Sequence, residues 1–472
     1  MNLSAFVNNL DLDVDWLGVR EVCQKSTTFN ARDGKSDRYA HYVDHGWMVE
    51  VLVKGQFAAV ATNTPHPDAL KAAAVKAKNI AEQANRYCLY PFDTAVRPSS
   101  QGAYKSPLSS SFSLKEFSEI LIQISHDLKV DDCIISTSAG GIIEHIQTTL
   151  VSTAGAFVDQ NITRYGLLLS ATAQLDCDNQ TRTNGGVYSQ DGSSLFDVKN
   201  LKEQALKIGA EAVELIKAEE CPSGMFDVVL TPDQMYLQIH ESIGHPLELD
   251  RILGDERNYA GWSFVKPTDF GQLQYGSPLL NITFDPTVSG ELASYAFDDL
   301  GASAQRQHLI QNGLLLNGLG SLESQQRLKV PGVASSRASS WNRLPIDRMA
   351  NVNMEPGTIS VEDMIAQIDD GILMMTNKSW SIDDYRRKFQ FSCEYGRRIQ
   401  NGRLTHVVKN PNYRGITLPF WHKLKAVGDQ NSSKVWGSLY CGKGEPNQII
   451  AVGHATPTCW FEGIDVFGGG ST

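Results

Sequence analysis

The stretch QIHESIGHPLELD, residues 238–250, holds two histidines with a glutamate directly after the first of them. Metalloproteases of the HExxH type place two histidines four residues apart on one helical face, so that both bind one ion while the intervening glutamate acts as general base. Here His240 and His245 are five residues apart. On a straight α-helix they would lie about 140° apart, which is too far round the helix for one ion.

Local features of the same stretch restore the geometry. Gly244 is a common helix terminator, and Pro246 favours an extended backbone at His245. We therefore expect His240 and Glu241 in the last turns of a helix, with His245 just beyond its end. A π-bulge would also bring the two rings together. The pattern predicts a metal site, against the alternative of a core histidine and a surface histidine that are neighbours by chance.

Two histidines do not complete a catalytic zinc site, which uses three protein ligands and keeps a fourth position open. Glu248 and Asp250 lie nearby in the sequence, and eight cysteines without a CxxC pair are spread along the chain. Spacing does not choose among these candidates. A site closed by four protein ligands would instead indicate a structural metal.

The composition is that of a folded globular protein. With 472 residues, 42% of them hydrophobic and 20% charged, the chain is long enough for two domains with their own cores. A net charge of −11 argues against a nucleic-acid partner. No apolar run reaches the length of about 18 residues that a membrane span needs, and residues 1–16 lack the basic region of a signal peptide. Together with the scattered cysteines, these features predict a cytoplasmic protein.

The two halves of the chain differ in their patterns, and we expect an α+β fold of two domains. Residues 1–218 alternate helix-like and strand-like segments and predict an N-terminal α+β scaffold domain. Residues 219–472 contain many short β-rich runs and predict a mostly antiparallel β domain that carries the metal-motif helix. One further helix is expected near residues 361–369. The boundary is placed at residues 219–223.

Several elements of the first half can be placed more closely. A hairpin is expected within residues 47–63, with its turn at Lys54 and Gly55. Residues 91–111 are rich in Ser, Pro and Gly and are expected to form a loop. The helix after that loop should begin with a capping box formed by Ser113 and Glu116. The other expected elements are helices at 67–87, 113–129 and 198–217, and β-rich runs at 132–151, 155–162 and 164–177.

Other polar residues carry weaker signals. His126 and His145 are expected to be surface or hydrogen-bonded core histidines without a catalytic role. Two polar clusters are interpreted as solvated loops with surface ion pairs. They comprise Asp298, Asp299 and Arg306, and Arg337, Arg343 and Arg348.

Beyond these motifs, the chain resembles the TldD/PmbA family, cytoplasmic metallopeptidases of bacteria and archaea that have also been called modulators of DNA gyrase. The resemblance covers nearly the whole chain, in separate blocks that follow in the same order. The blocks are HESIGHPLELD (240–250), FDDLGASAQRQHLIQNGLLLNG (297–318), LPIDRMANVNMEPG (344–357), FQFSCEYGRRIQNGRL (389–404) and SLYCGKGEPNQ (438–448).

The resemblance implies a zinc site, with Zn²⁺ held by His240, His245 and Cys441 and with Glu241 as general base. Two imidazoles and one thiolate would leave the fourth position for water. The family also contains partner subunits without the HExxxH motif, so this chain resembles the active, TldD-like type. Its cysteine block departs from the family pattern, in which Gln follows CGK more closely, and this leaves the neighbouring substrate contacts open.

The resemblance also implies substrate and partners. We expect hydrolysis of small or unfolded peptides, by a homodimer or by a heterodimer with a motif-less TldE/PmbA-like relative. An enclosed site in such a dimer would admit extended chains only. The alternative is a catalytically silent scaffold or partner subunit with a structural metal.

Overall fold

The computed structural model describes residues 1–107, 113–192 and 195–469. The fold is α+β, as expected. An eight-stranded sheet with helices packed on it forms the first half, and the second half contains another eight-stranded sheet with several small sheets and short helices. No described helix is long and apolar enough to cross a membrane. The division into two domains at residues 219–223 stays a prediction.

The sheet of the first half has the strand order β3-β2-β1-β5-β6-β4, and β7 and β8 also pair with β6. Its strands are β1 (Trp16–Arg32), β2 (Lys35–Val53), β3 (Gln56–Thr62), β4 (Gln101–Lys105), β5 (Ile134–Ser152), β6 (Phe157–Leu175), β7 (Asp178–Thr183) and β8 (Val187–Ser189). The expected hairpin is confirmed: Lys54 and Gly55 join β2 to β3 with φ values of 49° and 85°, as a two-residue hairpin turn requires.

Two expectations for this sheet are wrong. The β-rich runs at 155–162 and 164–177 form one continuous strand, β6, because the long partner β5 pairs along nearly its whole length. The loop expected at 91–111 contains strand β4, although residues 108–111 lie outside the described residues. β4 has no strong apolar pattern and is formed by its parallel pairing with β6, which the local sequence does not reveal.

The three long helices of the first half are confirmed. The helices are α1 (Leu3–Asn9), α2 (Pro67–Asn85), α3 (Leu114–Asp127) and α4 (Val198–Lys217). Both hydrogen bonds of the capping box between Ser113 and Glu116 are present at the start of α3. A face of buried alanines on α2 packs against β2 and β3, while α3 and α4 bury their apolar faces with β5 and β6.

The second half is mostly antiparallel, as expected, and its large sheet has the order β19-β10-β26-β22-β20-β21-β9. Because β19 also pairs with β20, five of these strands close into a ring. The strands are β9 (Glu219–Glu220), β10 (Gly224–Leu230), β11 (Ile282–Phe284), β12 (Gln307–Gln311), β13 (Leu314–Leu315), β14 (Gly318–Leu319), β15 (Gly332–Val333), β16 (Ser336–Arg337), β17 (Ile346–Asp347), β18 (Val352–Met354), β19 (Asp370–Ile382), β20 (Lys388–Gln400), β21 (Arg403–Lys409), β22 (Asn412–Ile416), β23 (Leu424–Val427), β24 (Lys434–Lys443), β25 (Gln448–Thr456) and β26 (Cys459–Phe467).

The helices of the second half are short. They are α5 (Pro232–Ile239), α6 (Leu249–Leu253), α7 (Arg257–Ala260), α8 (Leu322–Leu328), α9 (Val361–Ala366) and α10 (Thr417–His422). Strand β10 leads directly into α5, as expected, and α5 packs against β19 and the β24–β25 pair. This packing brings the motif after α5 close to the cysteine carried by β24.

Candidate metal centre

A π-helical turn separates the two motif histidines. Helix α5 ends at Ile239, residues His240–Gly244 form the π turn, and a 3₁₀ turn follows from His245. A π turn bonds residues five apart, and the backbone N–H of His245 accordingly donates to the carbonyl oxygen of His240. The π alternative therefore explains the five-residue spacing, and the expectation of an extended backbone at His245 is wrong.

Gly244 does not end the helix either. Its φ of −56° lies in the ordinary helical region. A Cβ atom at this position would lie 2.0 Å from the sulfur of Met349. Glycine therefore suits the close packing against Met349, and it does not terminate the helix.

The structure brings the three predicted ligands together. The Sγ atom of Cys441, on β24, lies 3.4 Å from Nε2 of His240 and 3.6 Å from Nε2 of His245. All three residues are buried, and their donor atoms lie within 4.8 Å of one another. In the part of the chain that the structure describes, this is the one cluster of three or more His, Cys, Asp or Glu residues that could hold a metal ion.

A hydrogen-bonded chain fixes the ring of His240. Its Nδ1 lies 3.0 Å from Nε2 of His454, and Nδ1 of His454 lies 2.8 Å from the carbonyl oxygen of Val352. A carbonyl can only accept, so His454 carries its proton on Nδ1 and accepts from His240 at Nε2. Burial lowers the pKa of His454 to about 3, which keeps this ring neutral. The Nε2 atom of His240 is thereby left to face the metal position.

The second histidine is fixed by a carboxylate. Nδ1 of His245 donates to Oε2 of Glu248 at 2.9 Å. Glu248 is fully buried, and the ammonium group of the equally buried Lys443 lies 3.4 Å from the same oxygen. Lys443 also donates to Asp250 at 2.6 Å. Glu248 and Asp250, which spacing left open as ligands, are therefore not in the cluster of donor atoms. Glu248 accepts from the ligand ring of His245, and Asp250 accepts from Lys443.

Charge around Cys441 favours its thiolate. Burial opposes ionisation, but His240, Arg348 and His245 together hold the pKa of the Cys441 thiol well below its usual range. Arg348 also donates to the carbonyl oxygen of Cys441 at 2.6 Å. A thiolate is the form of cysteine that binds metals.

The predicted base, Glu241, lies beside the histidines and is 4% exposed as a whole residue. Its carboxylate forms an ion pair with Arg386, which comes from the turn between β19 and β20. Two backbone contacts hold that turn in place: the amides of Trp262 and Phe264 donate to the carbonyl oxygens of Asp384 and Tyr385. These hydrogen bonds fix the turn that holds the Arg386 guanidinium beside Glu241.

Polar residues elsewhere divide between surface and core. His126 and His145 are exposed, as expected. Arg306 is also exposed and pairs with Glu355, in agreement with a surface ion pair. The interpretation of solvated loops is wrong for Asp298, Arg337 and Arg348, which are buried. Their charges are compensated inside the fold, by backbone amides for Asp298 and by backbone carbonyl groups for the arginines.

Comparison with known proteins identifies the family of this chain. The sequence model of the PmbA/TldA metallopeptidase C-terminal domain matches residues 223–468, and that of the central domain matches residues 107–219. The chain belongs to the TldD/PmbA family. The resemblance seen in the sequence blocks is thus confirmed.

Relatives across the TldD/PmbA family are named as metalloproteases. A metalloprotease of Methanocaldococcus jannaschii is 26% identical over 463 residues, which cover 96% of this chain and 97% of that protein. A metalloprotease TldD homolog of Haemophilus influenzae is 24% identical and covers 97% of this chain and 93% of its own. A zinc metalloprotease TldD homolog of Saccharolobus solfataricus is 24% identical, with 56% of each chain covered.

Solved structures show the same fold. A protein of Thermotoga maritima, described as a candidate modulator of a DNA gyrase, superposes with a TM-score of 0.74 at 17% identity, with 96% of each chain covered. TldE from Thermococcus kodakarensis superposes with a TM-score of 0.71 at 13% identity, covering 98% of this chain and 99% of its own.

Sequence reasoning missed the residues that contact the candidate ligands and Glu241. His454 stands in a glycine-rich stretch with no motif around it, and Arg386 is separated from Glu241 by 145 positions. The sequence pattern indicates Glu248 only as a candidate ligand, although its position three residues after His245 suits a hydrogen bond to that ring. Only the folded chain shows these contacts.

Proposed function

We propose that this chain is a zinc-dependent peptidase that hydrolyses small or unfolded peptides, with zinc held by His240, His245 and Cys441. The convergence of these three donor atoms carries the proposal. Tetrahedral zinc with its usual bond lengths separates nitrogen and sulfur ligands by roughly 3.5 Å. The observed nitrogen–sulfur separations of 3.4 and 3.6 Å match that spacing.

The mechanism assigns separate tasks to the residues of the centre. Zinc, when bound, would make a water molecule more acidic and polarise the carbonyl group of the scissile bond. Glu241 accepts a proton from the attacking water at its carboxylate and then delivers it to the leaving amine. Arg386 orients the Glu241 carboxylate through their ion pair. His454 and Glu248 keep the two ligand rings in the tautomer that presents Nε2.

The strand that carries Cys441 supports a preference for extended substrates. In the part of the chain that the structure describes, β24 pairs with β25 only, so its other edge has backbone groups without a strand partner. An extended peptide can bind such an edge through main-chain hydrogen bonds that depend little on sequence. Most backbone groups of a folded protein are already hydrogen-bonded internally, so an unfolded peptide matches such an edge better.

We further propose a cytoplasmic dimer, formed by two copies of this chain or with a TldE-like relative. The similarity to TldE and the free state of all eight cysteines support these assignments. The competing proposal is a silent scaffold whose metal is structural. A cluster of three protein ligands favours the enzyme, because a structural site normally has four.

Metal analysis combined with a peptide digest tests the proposed function. The purified protein should contain about one zinc per chain. It should cleave an unfolded peptide, and a chelator should abolish the cleavage until zinc is restored. Bound zinc without cleavage of any peptide, alone or with a TldE-like relative, would favour the scaffold instead.

A further inference from the structure

A cavity of about 280 Å³ lies between the sheet of the first half and the loops and strands of the second half. Side chains of β1, β5 and β6 form one wall, and β24 and β25 form part of the other. Unlike an ordinary interior void, the cavity is rich in charge. The charged residues that line it are Arg20, Arg164 and Arg337, and Glu144, Asp298 and Asp299.

Arg164 is the one cavity arginine whose donors are unused. None of its N–H groups has a hydrogen-bond partner among the described residues, and its Nε is fully shielded from solvent. The nearest carboxylate oxygen, on Glu144, lies 3.8 Å from Nη1, and the Arg164 side chain is only 12% exposed. By contrast, Arg20 and Arg337 each donate to two backbone carbonyl groups. A buried guanidinium without hydrogen-bond partners is rare in folded proteins and calls for an acceptor.

The carboxylates of the cavity already have donors of their own. Glu144 accepts from Gln24 at 3.4 Å, and Asp299 accepts from the backbone amide of Ala338 at 2.7 Å. Asp298 accepts hydrogen bonds from three backbone amides. The polar group of the cavity that lacks a hydrogen-bond partner in the described part of the chain is therefore a donor, the guanidinium of Arg164. The planar fork of a guanidinium matches a carboxylate group.

The cavity adjoins the candidate metal centre. Leu439 and Tyr440 line it, and they directly precede Cys441 on β24. Ile450 also lines it and is the strand partner of Cys441 on β25. Consecutive Cα atoms lie about 3.8 Å apart, so a group bound in the cavity is only a few residues of extended chain away from the metal ligand.

We propose that the cavity is a substrate subsite in which Arg164 binds a carboxylate of the peptide. The carboxylate is supplied either by an Asp or Glu side chain near the scissile bond or by the C-terminus of a short peptide. The proposal rests on the proposed peptidase function and adds to it a preference for substrates with a negative charge at one position.

Paired peptides test the subsite and separate the two sources of the carboxylate. One series places a single Glu, or Gln as its neutral match, at each position of an otherwise uncharged peptide. The other compares a free C-terminus with a C-terminal amide. In one of the two series, kcat/KM should be at least about tenfold higher for the charged peptide than for its neutral match, which is the usual effect of a charged hydrogen bond in a buried site. The series that shows this difference identifies the source of the carboxylate. Equal kcat/KM within every pair would overturn the proposal.

Variants assign the preference to Arg164. Arg164→Gln should lower kcat/KM for the charged peptide relative to its neutral match, so that the ratio between the two falls to about one. If that variant folds poorly, the double variant E144Q/R164Q removes both charges of the loose pair and should show the same loss. Arg403→Gln, which changes an exposed arginine of β21, is the matched control and should keep the preference. A preference that survives in R164Q and in the double variant would contradict the assignment.

A binding measurement keeps this test separate from the proposed function. Zinc-loaded Glu241→Gln protein should bind the charged peptide about tenfold more tightly than the neutral one, and the added R164Q change should remove the difference. Tighter binding of the charged peptide, with no cleavage by the wild type, would contradict the peptidase proposal but support the subsite. Cleavage without any charge preference in rate or binding would contradict the subsite and support the peptidase proposal.

Discussion

Nδ1 of His240 lies 3.0 Å from Nε2 of His454, and His454 is itself anchored 2.8 Å from the carbonyl oxygen of Val352. The second contact determines the direction of the first, because the carbonyl accepts the only proton of the neutral His454 ring. His454 therefore acts on the metal centre through His240, without being a ligand. Partners of this kind typically change metal affinity by about 10- to 100-fold.

The first prediction follows from that relay. His454→Ala should weaken zinc binding by about 10- to 100-fold, because the Nδ1 proton of His240 loses its acceptor. His454→Gln should retain more affinity, since its amide oxygen can accept the same hydrogen bond. Competition with a chelator of known affinity measures both, with the exposed His145→Ala as control. Equal zinc affinities for all three variants would show that the His454–His240 hydrogen bond does not affect zinc binding.

The second prediction concerns the ligands. Cys441→Ser should lose most of its zinc, because a neutral hydroxyl is a poor replacement for a thiolate. His240→Ala should behave in the same way. Cys177→Ser, which changes an exposed cysteine, should retain full zinc content by elemental analysis. Full zinc retention in the Cys441 variant would mean that the ligand set is wrong.

The third prediction concerns protonation in the metal-free protein. Cys441 has a lowered pKa and His240 a raised one, in each case against the effect of burial, because each stabilises the charge of the other. A lowered thiol pKa means that the thiolate persists as pH falls, so Cys441 should still be a thiolate below the ordinary cysteine pKa of about 8.5. The ultraviolet difference spectrum between wild type and Cys441→Ser measures this. Thiolate absorbance that appears only near the ordinary cysteine pKa would contradict it.

Much of this architecture follows from local sequence signals. Helices α2, α3 and α4 have clear caps and periodicity, and the glycine turn after Lys54 defines its hairpin. Strand β4 and the closure of β19 on β20 depend on partners far away in the chain, so no local pattern predicts them. At the site, the motif indicated His240 and His245, but Cys441 followed only from the family resemblance. His454 and Arg386 became visible only through the fold.

The fourth prediction concerns assembly. Tyr39, Tyr42 and Val43 on β2 are exposed apolar residues grouped on one long strand, as is typical of interaction surfaces. We expect a dimer at micromolar concentration, measured by sedimentation velocity, and Tyr42→Glu should weaken it. A monomer at that concentration, both alone and with a TldE-like relative, would contradict the enclosed site. A dimer that cleaves peptides only after the relative is added would make the heterodimer the functional unit.

The most direct test of the central claim is the turnover of zinc-loaded Glu241→Gln on an unfolded peptide. Glu241 lies beside the donor atoms but is not among them, so this variant should keep its fold and about one zinc per chain. Its kcat should fall by several orders of magnitude, because the group that takes the proton from the attacking water is gone. An unchanged kcat with a raised KM would show that Glu241 only helps to bind the peptide, and would contradict the mechanism.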